Sequence, residues 1–354
     1  MVLILKLGKM NLNDFDKTFL LQFGFDIANQ ENLPVDILAK NHPSALPGSQ
    51  LYEKAHLQIL NEIECGNYVL TESSQRIISP LGVIPKPDGG VRLIHDCSRP
   101  DGTAVNDFVG HFEKQRFQTI DDVAKLVSKD YYMSKVDLKS PYRSVSINAK
   151  SQEVTGSQWT FPDGREYTFI DKKPPFGSKL APGIFHRLSQ AMRRMMSRRG
   201  FTIVAYLDDF LICESKDRCR LALNALVHLL KKLGFLINWS KVVDPTTSIT
   251  FLVIEIDSST MELRLPADKL SLLRPELDDF KVCKRASKKQ LQSLAGKLNW
   301  ASAVIRGERV FLHRIIDCIT SLERDWHKIL LKGEVLADIA WWRKFMANHY
   351  CLIN

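Results

Sequence analysis

A chain of 354 residues, 45% hydrophobic and 25% charged, has globular composition and room for two or three domains of roughly 150 residues, which excludes a disordered or fibrous protein. Lysine plus arginine exceeds aspartate plus glutamate by 49 to 40, a net charge of +9, so a polyanionic partner is expected, nucleic acid ahead of a membrane surface. The seven cysteines form no Cys-x-x-Cys pair, which argues against a zinc site or a disulfide framework and for a reducing compartment. Met1-Val-Leu-Ile-Leu5 is too short and lacks the basic lead of a signal peptide, and there is no run of roughly 18 apolar residues to span a membrane. The expectation is an intracellular protein, cytoplasmic or nuclear.

Residues 1–60 carry no legible role beyond a short packed segment at Phe19 to Ile27 and a Pro/Gly/Ser loop at Asn41 to Gly48. Leu51 to Cys65 is spaced as an amphipathic helix ending at Gly66. Ser79 to Pro85 is extended, Pro87-Asp-Gly-Gly90 is a hairpin turn, and Val91 to His95 alternates as the return strand. Lys86 at the tip and Arg92 on the return strand suit a phosphate clamp, or simply a solvated surface. Tyr131 to Leu138 reads as a strand ending in Asp137, with Ser140-Pro-Tyr-Arg143 opening a turn or helix. Gly164 to Ile170 ends a hairpin, and Pro174 to Pro182 is a rigid loop opening a helix over Gly183 to Arg199. That helix presents Ile184, Phe185, Leu188, Ala191, Met192 and Met195 on one face and Arg187, Arg193, Arg194, Arg198 and Arg199 on the remainder.

Thr202 to Cys213 reads as strand, tight turn, strand, with Asp208 and Asp209 at the bend. Two adjacent acids flanked by apolar runs suggest a divalent cation, although aspartate also favours turns for local reasons. If the strand ending in Asp137 pairs with this hairpin, the three carboxylates form one cluster. Leu221 to Leu233 is a helix closed by Lys231, Lys232 and Gly234; Phe235 to Asn238 is a strand leading to Lys241; Phe251 to Ile256 is a strand paired with Leu263 to Leu265. Ser287-Lys-Lys-Gln290 is a capping box opening a helix, Gly307 breaks the pattern, and Val310 to Leu322 is a further helix. Lys284, Arg285, Lys288, Lys289, Lys297, Arg306, Arg309 and Arg314 concentrate the basic charge there, as suits helices gripping a duplex by its phosphates. Around Trp341-Trp342 no closing element is legible.

In this order, the segments resemble a reverse transcriptase of the retroelement kind. Tyr206-Leu-Asp-Asp209 resembles the family's Tyr-x-Asp-Asp box, and Val136-Asp137 with Tyr142 its first acidic motif. Pro175-Phe-Gly-Ser-Lys-Leu-Ala-Pro182 resembles the loop and helix beneath the templating pair; Leu233-Gly-Phe with Lys241, and Phe251-Leu-Val-Ile-Glu255, resemble the motifs that finish the palm. The wording of Lys179 to Phe185 and of Lys289 to Trp300 is most similar to retrotransposons of the tyrosine-recombinase (DIRS-like) group.

The resemblance implies an α+β right-hand polymerase with fingers, a ferredoxin-like palm on an antiparallel sheet, and a helical thumb. It divides the chain into an N-terminal extension (1–60), fingers and palm (61–257, with fingers near 61–131 and 150–172, palm near 132–149 and 173–257), thumb (258–325) and the start of a connection or RNase H region (326–354). It implies that Asp137 and Asp208 bind two Mg²⁺ ions, Mn²⁺ being an alternative, with Asp209 supporting them, while Lys241 protonates pyrophosphate. Lys86 and Arg92 would clamp the incoming deoxynucleoside triphosphate, Tyr142 would exclude a 2′-hydroxyl, and Phe176 and Gly177 would lie by the nascent pair. Tyr206, Lys179, Lys288, Lys289 and Lys297 would contact an RNA or DNA template–primer duplex; no oligomeric state is implied. Two departures stand out: Pro141 replaces a small residue beside the acids, and Val253 stands where glycine is usual. The competing expectation is a truncated or decayed element product that binds nucleic acid without polymerising.

Overall fold

Four antiparallel strands, in the order Val243–Thr246, Tyr132–Asp137, Asp209–Glu214, Ile203–Tyr206, form the sheet around which the protein is built; the computed structural model describes residues 24–28, 33–110, 115–282, 285–304, 309–346 and 350–353. The expectations on Met1 to Leu5, Lys284, Arg306, Gly307 and the Arg309 side chain lie outside the described residues. Strand side chains alternate between faces, and these strands use the alternation fully. Val136, Ile203, Ala205, Phe210 and Ile212 pack under the helices Ala181–Ser197 and Lys216–Leu233. Met133, Val204, Leu211 and Cys213 face a second core shared with the C-terminal helices. Asp137 and Asp209 have the parity of Met133 and Leu211, so both acids sit on the face away from the first two helices.

The first of those helices has Pro182 in its opening turn, where a missing N–H costs nothing. Its buried stripe runs through Ile184, Phe185, Leu188, Ala191, Met192 and Met196; Met195, assigned to the stripe from sequence, is only half-buried. The second helix ends at Gly234, whose φ of 87° gives the left-handed cap that its terminal lysines and glycine announce. Phe235–Asn238 is not a strand as expected. The Phe235 N–H turns back to the Leu230 carbonyl, which leaves one bridge, Leu138 to Ile237, before the 3-10 turn Trp239–Lys241.

Outside the central sheet, a five-stranded sheet, two of whose strands follow Tyr132–Asp137 in the chain, and the hairpin Leu81–Pro85/Val91–His95 pack with the helix Tyr52–Glu64 around Trp159 and Phe169. The hairpin buries Leu81, Val83, Val91 and Leu93 and leaves Arg92 outside.

The expected strand Phe251 to Ile256 is two strands, Ser248–Phe251 and Ile254–Asp257, reversing at Leu252-Val253 with φ of 48° and 67°. Such a two-residue turn with both φ positive normally takes Asn-Gly, so Leu-Val gives no turn signal. A β-branched residue there is strained by about 1 kcal/mol. Val253→Gly is therefore expected to raise the melting temperature by about 2 °C in a thermal denaturation scan; an unchanged or lower value would show that the turn carries no strain.

The C-terminal part holds the helices Ala267–Val282, Lys288–Ala301, Arg309–Thr320 and Glu334–Phe345. The capping box is made: Gln290 N–H donates to Ser287 Oγ at 3.2 Å, and Ser287 N–H to Gln290 Oε1 at 2.9 Å. The stretch after Thr320, which offers no closing element in sequence, packs back on this unit. Trp342 is fully buried, and the strand Tyr350–Leu352 pairs with Glu262–Arg264. Among the described residues no helix is long and apolar enough to cross a membrane.

Candidate active site

The pairing on which a carboxylate cluster depends is formed: Asp209 lies directly opposite Asp137 in the antiparallel register. Asp208 occupies the turn after Leu207, whose φ is 49°, and its carbonyl accepts the Leu138 N–H at 3.0 Å. The Asp137 carboxylate is buried and held on both oxygens, by Asn238 Nδ2 on Oδ1 and by Lys241 Nζ on Oδ2, each at 3.1 Å. Burial first, then the charges of Asp137 and Asp208, push the Asp209 carboxyl up to about 7. Burial also raises Asp208, with Asp137 adding to the effect and Lys241 and Arg92 opposing it. For Lys241, burial pulls downward, but its bond to Asp137 and the nearby carboxylates win and raise it.

The cluster therefore carries more negative charge than it holds comfortably, which an added cation would relieve. Among the described residues no three acidic, histidine or cysteine side chains converge into a closed metal-binding set. That is compatible with magnesium, which uses one or two carboxylates and keeps its other positions for water and phosphate oxygens. The donors are hard oxygens throughout, so the residues fit such an ion.

A second cluster forms around Tyr142. Tyr142 lies in the 3-10 turn Pro141–Ser144, its ring 5.7 Å from Phe176 and 5.9 Å from Phe185. The Arg92 guanidinium sits 4.8 Å over the exposed Phe176 ring. Burial, then the Asp208 charge, push the Tyr142 phenol up to about 12. Gly177 is required by close packing: with φ of 153°, an added Cβ would stand 2.0 Å from the His95 carbonyl oxygen. Pro141 occupies the first position of its turn, where no N–H is needed, so this departure leaves the turn intact.

The comparisons agree with this geometry. Residues 84–256, just under half of the chain, match the family described as reverse transcriptase (RNA-dependent DNA polymerase). Residues 84–256 are a reverse transcriptase domain. The chain is 28% identical, over 204 residues, to the genome polyproteins of Petunia vein clearing virus, isolates Shepherd and Hohn, and that stretch is 57% of this chain and 9% of the polyprotein. Foamy viral protease-reverse transcriptase structures share the fold. One in complex with RNA/DNA hybrid has a TM-score of 0.71 at 17% identity, covering 98% of this chain and 46% of that one. One in complex with double-stranded DNA has a TM-score of 0.70 at 17% identity, covering 98% and 60%. The architecture is the right-hand polymerase fold.

The remaining sequence-derived positions separate. Lys86 is half-buried in the hairpin turn and Lys179 is exposed on the loop before the helix Ala181–Ser197. Tyr206 packs on Phe117, ring centroids 5.6 Å apart. Lys289 is exposed. Lys288 Nζ instead donates to the Leu322 and Glu323 carbonyls, Lys297 pairs with Glu276 at 2.6 Å, and Arg314 pairs with Asp338 and Glu334. These three cations are engaged within the helical unit and are not brought to the acids.

Sequence reasoning missed the polar residues that hold the site. Asn106 Nδ2 donates to the Gly177 carbonyl at 3.0 Å while its Oδ1 accepts the Lys179 N–H at 2.8 Å. Gln118 Oε1 accepts the Ala205 N–H, and Gln190 Nε2 donates to the Ala205 carbonyl. Asn238 stood only as the end of an expected strand. Single amides, whether in loops or, like Gln190, on a helix, carry no periodicity of their own, so no signal pointed to them.

Proposed function

We propose that this protein is an RNA-directed DNA polymerase of a retrotransposon, of the tyrosine-recombinase group that its wording resembles, extending a primer 3′-hydroxyl with deoxynucleoside triphosphates on an RNA or DNA template. The observation that carries this reading is the register of Asp137 and Asp209, with Asp208 in the adjoining turn; the Arg92–Phe176–Tyr142 cluster supports it. Asp137 and Asp208, supported by Asp209, would hold Mg²⁺, which supplies hydroxyl activation and neutralisation of phosphoryl charge. Arg92 and Lys86 take the triphosphate, Phe176 and Gly177 lie by the nascent pair, and Tyr142 occupies the space beneath the sugar. Lys241, whose proton is held against Asp137, is placed to release it to the leaving pyrophosphate. Tyr206, Lys179 and Lys289 would contact the duplex, within fingers, palm and thumb divided as in the sequence reading.

The test is Mg²⁺-dependent extension of a primed RNA template by purified protein; no extension with deoxynucleotides under any divalent ion would overturn the reading. Binding of the same template–primer is expected to weaken by about a thousandfold between 50 and 200 mM salt, measured by fluorescence anisotropy, if roughly six phosphates are neutralised. Steep binding without extension would support the decayed-element reading instead, which the strained Val253 turn favours.

A further inference from the structure

Beside Tyr142 in the same turn, Arg143 enters a buried knot that the polymerase reading leaves unused. Its Nη1 donates to both carboxylate oxygens of Asp171 at 2.7 and 2.8 Å, and its Nε lies 3.4 Å from Glu62. The guanidinium also covers the Tyr68 ring at 5.2 Å. Asp171 is 0% exposed and additionally accepts the Lys173 N–H at 2.9 Å; buried Glu62 accepts from Asn67 at 2.7 Å. Burial, and then the Arg143 charge, pull the buried His95 down to about 4, so it stays neutral and adds no cation.

The position of the knot matters more than its strength. Asp171 ends the strand Glu166–Asp171, from which the chain runs directly to Phe176, and the Phe176 carbonyl accepts the His95 N–H at 3.2 Å. The Nη1 contact with Asp171 thus joins the turn bearing Tyr142 to the segment bearing Phe176. A buried ion pair adds little net stability over an apolar replacement, whereas a planar guanidinium engaged at once by Asp171, Glu62 and the Tyr68 ring is fixed in angle as well as distance. A displacement of about 1 Å at a reacting site can cost a hundredfold in rate.

We propose that the Arg143–Asp171 pair is the positioning element of the nucleotide pocket, setting the gap between the Tyr142 and Phe176 rings and through it the discrimination between deoxy- and ribonucleotides. This rests on the polymerase reading of that pocket. Arg143 touches no substrate; it acts through its neighbour.

The experiment compares wild type, Arg143→Lys and the double variant Arg143→Met/Asp171→Leu, which removes both charges together, in single-nucleotide incorporation of dCTP and CTP. The double variant is expected to keep template–primer affinity and a kcat for dCTP within threefold. Its KM for dCTP is expected to rise about tenfold and its deoxy-to-ribo selectivity to fall at least tenfold, with Arg143→Lys, which keeps the charge and loses the planar group that also reaches Glu62 and Tyr68, in between. Unchanged selectivity with a lowered melting temperature would reduce the pair to a structural role and overturn the proposal. If wild type extends no primer, the polymerase reading fails, and amide hydrogen exchange decides the coupling alone. Residues 140–147 and 171–178 must then exchange faster together in Arg143→Lys while 132–137 stay protected; independent or unchanged exchange overturns it.

Discussion

Asp208→Asn is expected to lower primer extension by at least about a thousandfold while leaving the fold intact. The side chain sits in the turn between two paired strands, so the amide meets no packing barrier, and its loss removes one of two carboxylates available to a cation. The stability of the metal-free protein should move the other way when the neighbouring charge is removed. Asp209 has a folded-state pKa of about 7, above its ordinary value of 3.8. A group raised in this way contributes stability below its unfolded pKa and loses it as pH rises through the folded one. Metal-free wild type should therefore lose stability relative to Asp209→Asn between about pH 4 and pH 8, by about 1–2 kcal/mol once solvent access is discounted. Chemical denaturation at the two pH values measures this difference. A tenfold excess of Mg²⁺ over its dissociation constant should return about 1.4 kcal/mol to wild type and little to Asp208→Asn. An Asp208→Asn protein that still extends primers would sink the site assignment, and an Asp209→Asn protein with the pH dependence of wild type would sink the electrostatic account.

The parts of the site that were legible are those whose chemistry is written in local sequence. Asp208-Asp209 between apolar runs, Asp137 at a strand end and the Gly-tipped hairpin bearing Lys86 and Arg92 each announce an element and a charge together. The meeting of the acids was conditional on one strand pairing, and the register that sets Asp137 opposite Asp209 is that pairing. What was not legible falls into two physical kinds. The Leu252-Val253 reversal is enforced by tertiary pairing of its flanking strands against local preference, so propensity misreads it as one strand. The supports Asn106, Gln118, Asn238 and Arg143 act across long sequence separations from loops and turns, where single polar residues have no pattern to betray them. Basic residues at the C-terminal helices were legible as charge but not as partners: Lys297 and Arg314 end in ion pairs with Glu276 and Asp338, contacts only the folded arrangement creates.

Trp342→Ala is expected to be among the most damaging substitutions away from the acids. The side chain is 0% exposed within the core that joins the C-terminal helices to the central sheet. Its Nε1 donates to the Phe311 carbonyl at 3.2 Å, and its neighbour Trp341 stacks on the Phe311 ring at 4.0 Å, so the helix Glu334–Phe345 is stapled to Arg309–Thr320 here as well as through the Arg314 ion pairs. Truncation removes a large buried aromatic, leaves a cavity and orphans a carbonyl, which together cost about 3–5 kcal/mol. That is a large share of the roughly 5–15 kcal/mol available to a folded protein. Trp326, 68% exposed on the loop after Thr320, is the internal control, and its alanine variant should stay within about 0.5 kcal/mol of wild type. Because the acids sit on a sheet whose other face is held by separate helices, the Trp342 variant should lose template–primer affinity before it loses the far-ultraviolet signature of the central unit. Guanidinium denaturation of both variants, followed by circular dichroism and duplex binding, distinguishes the outcomes: equal midpoints for Trp342→Ala and Trp326→Ala would mean that the residues after Thr320 do not stabilise the fold.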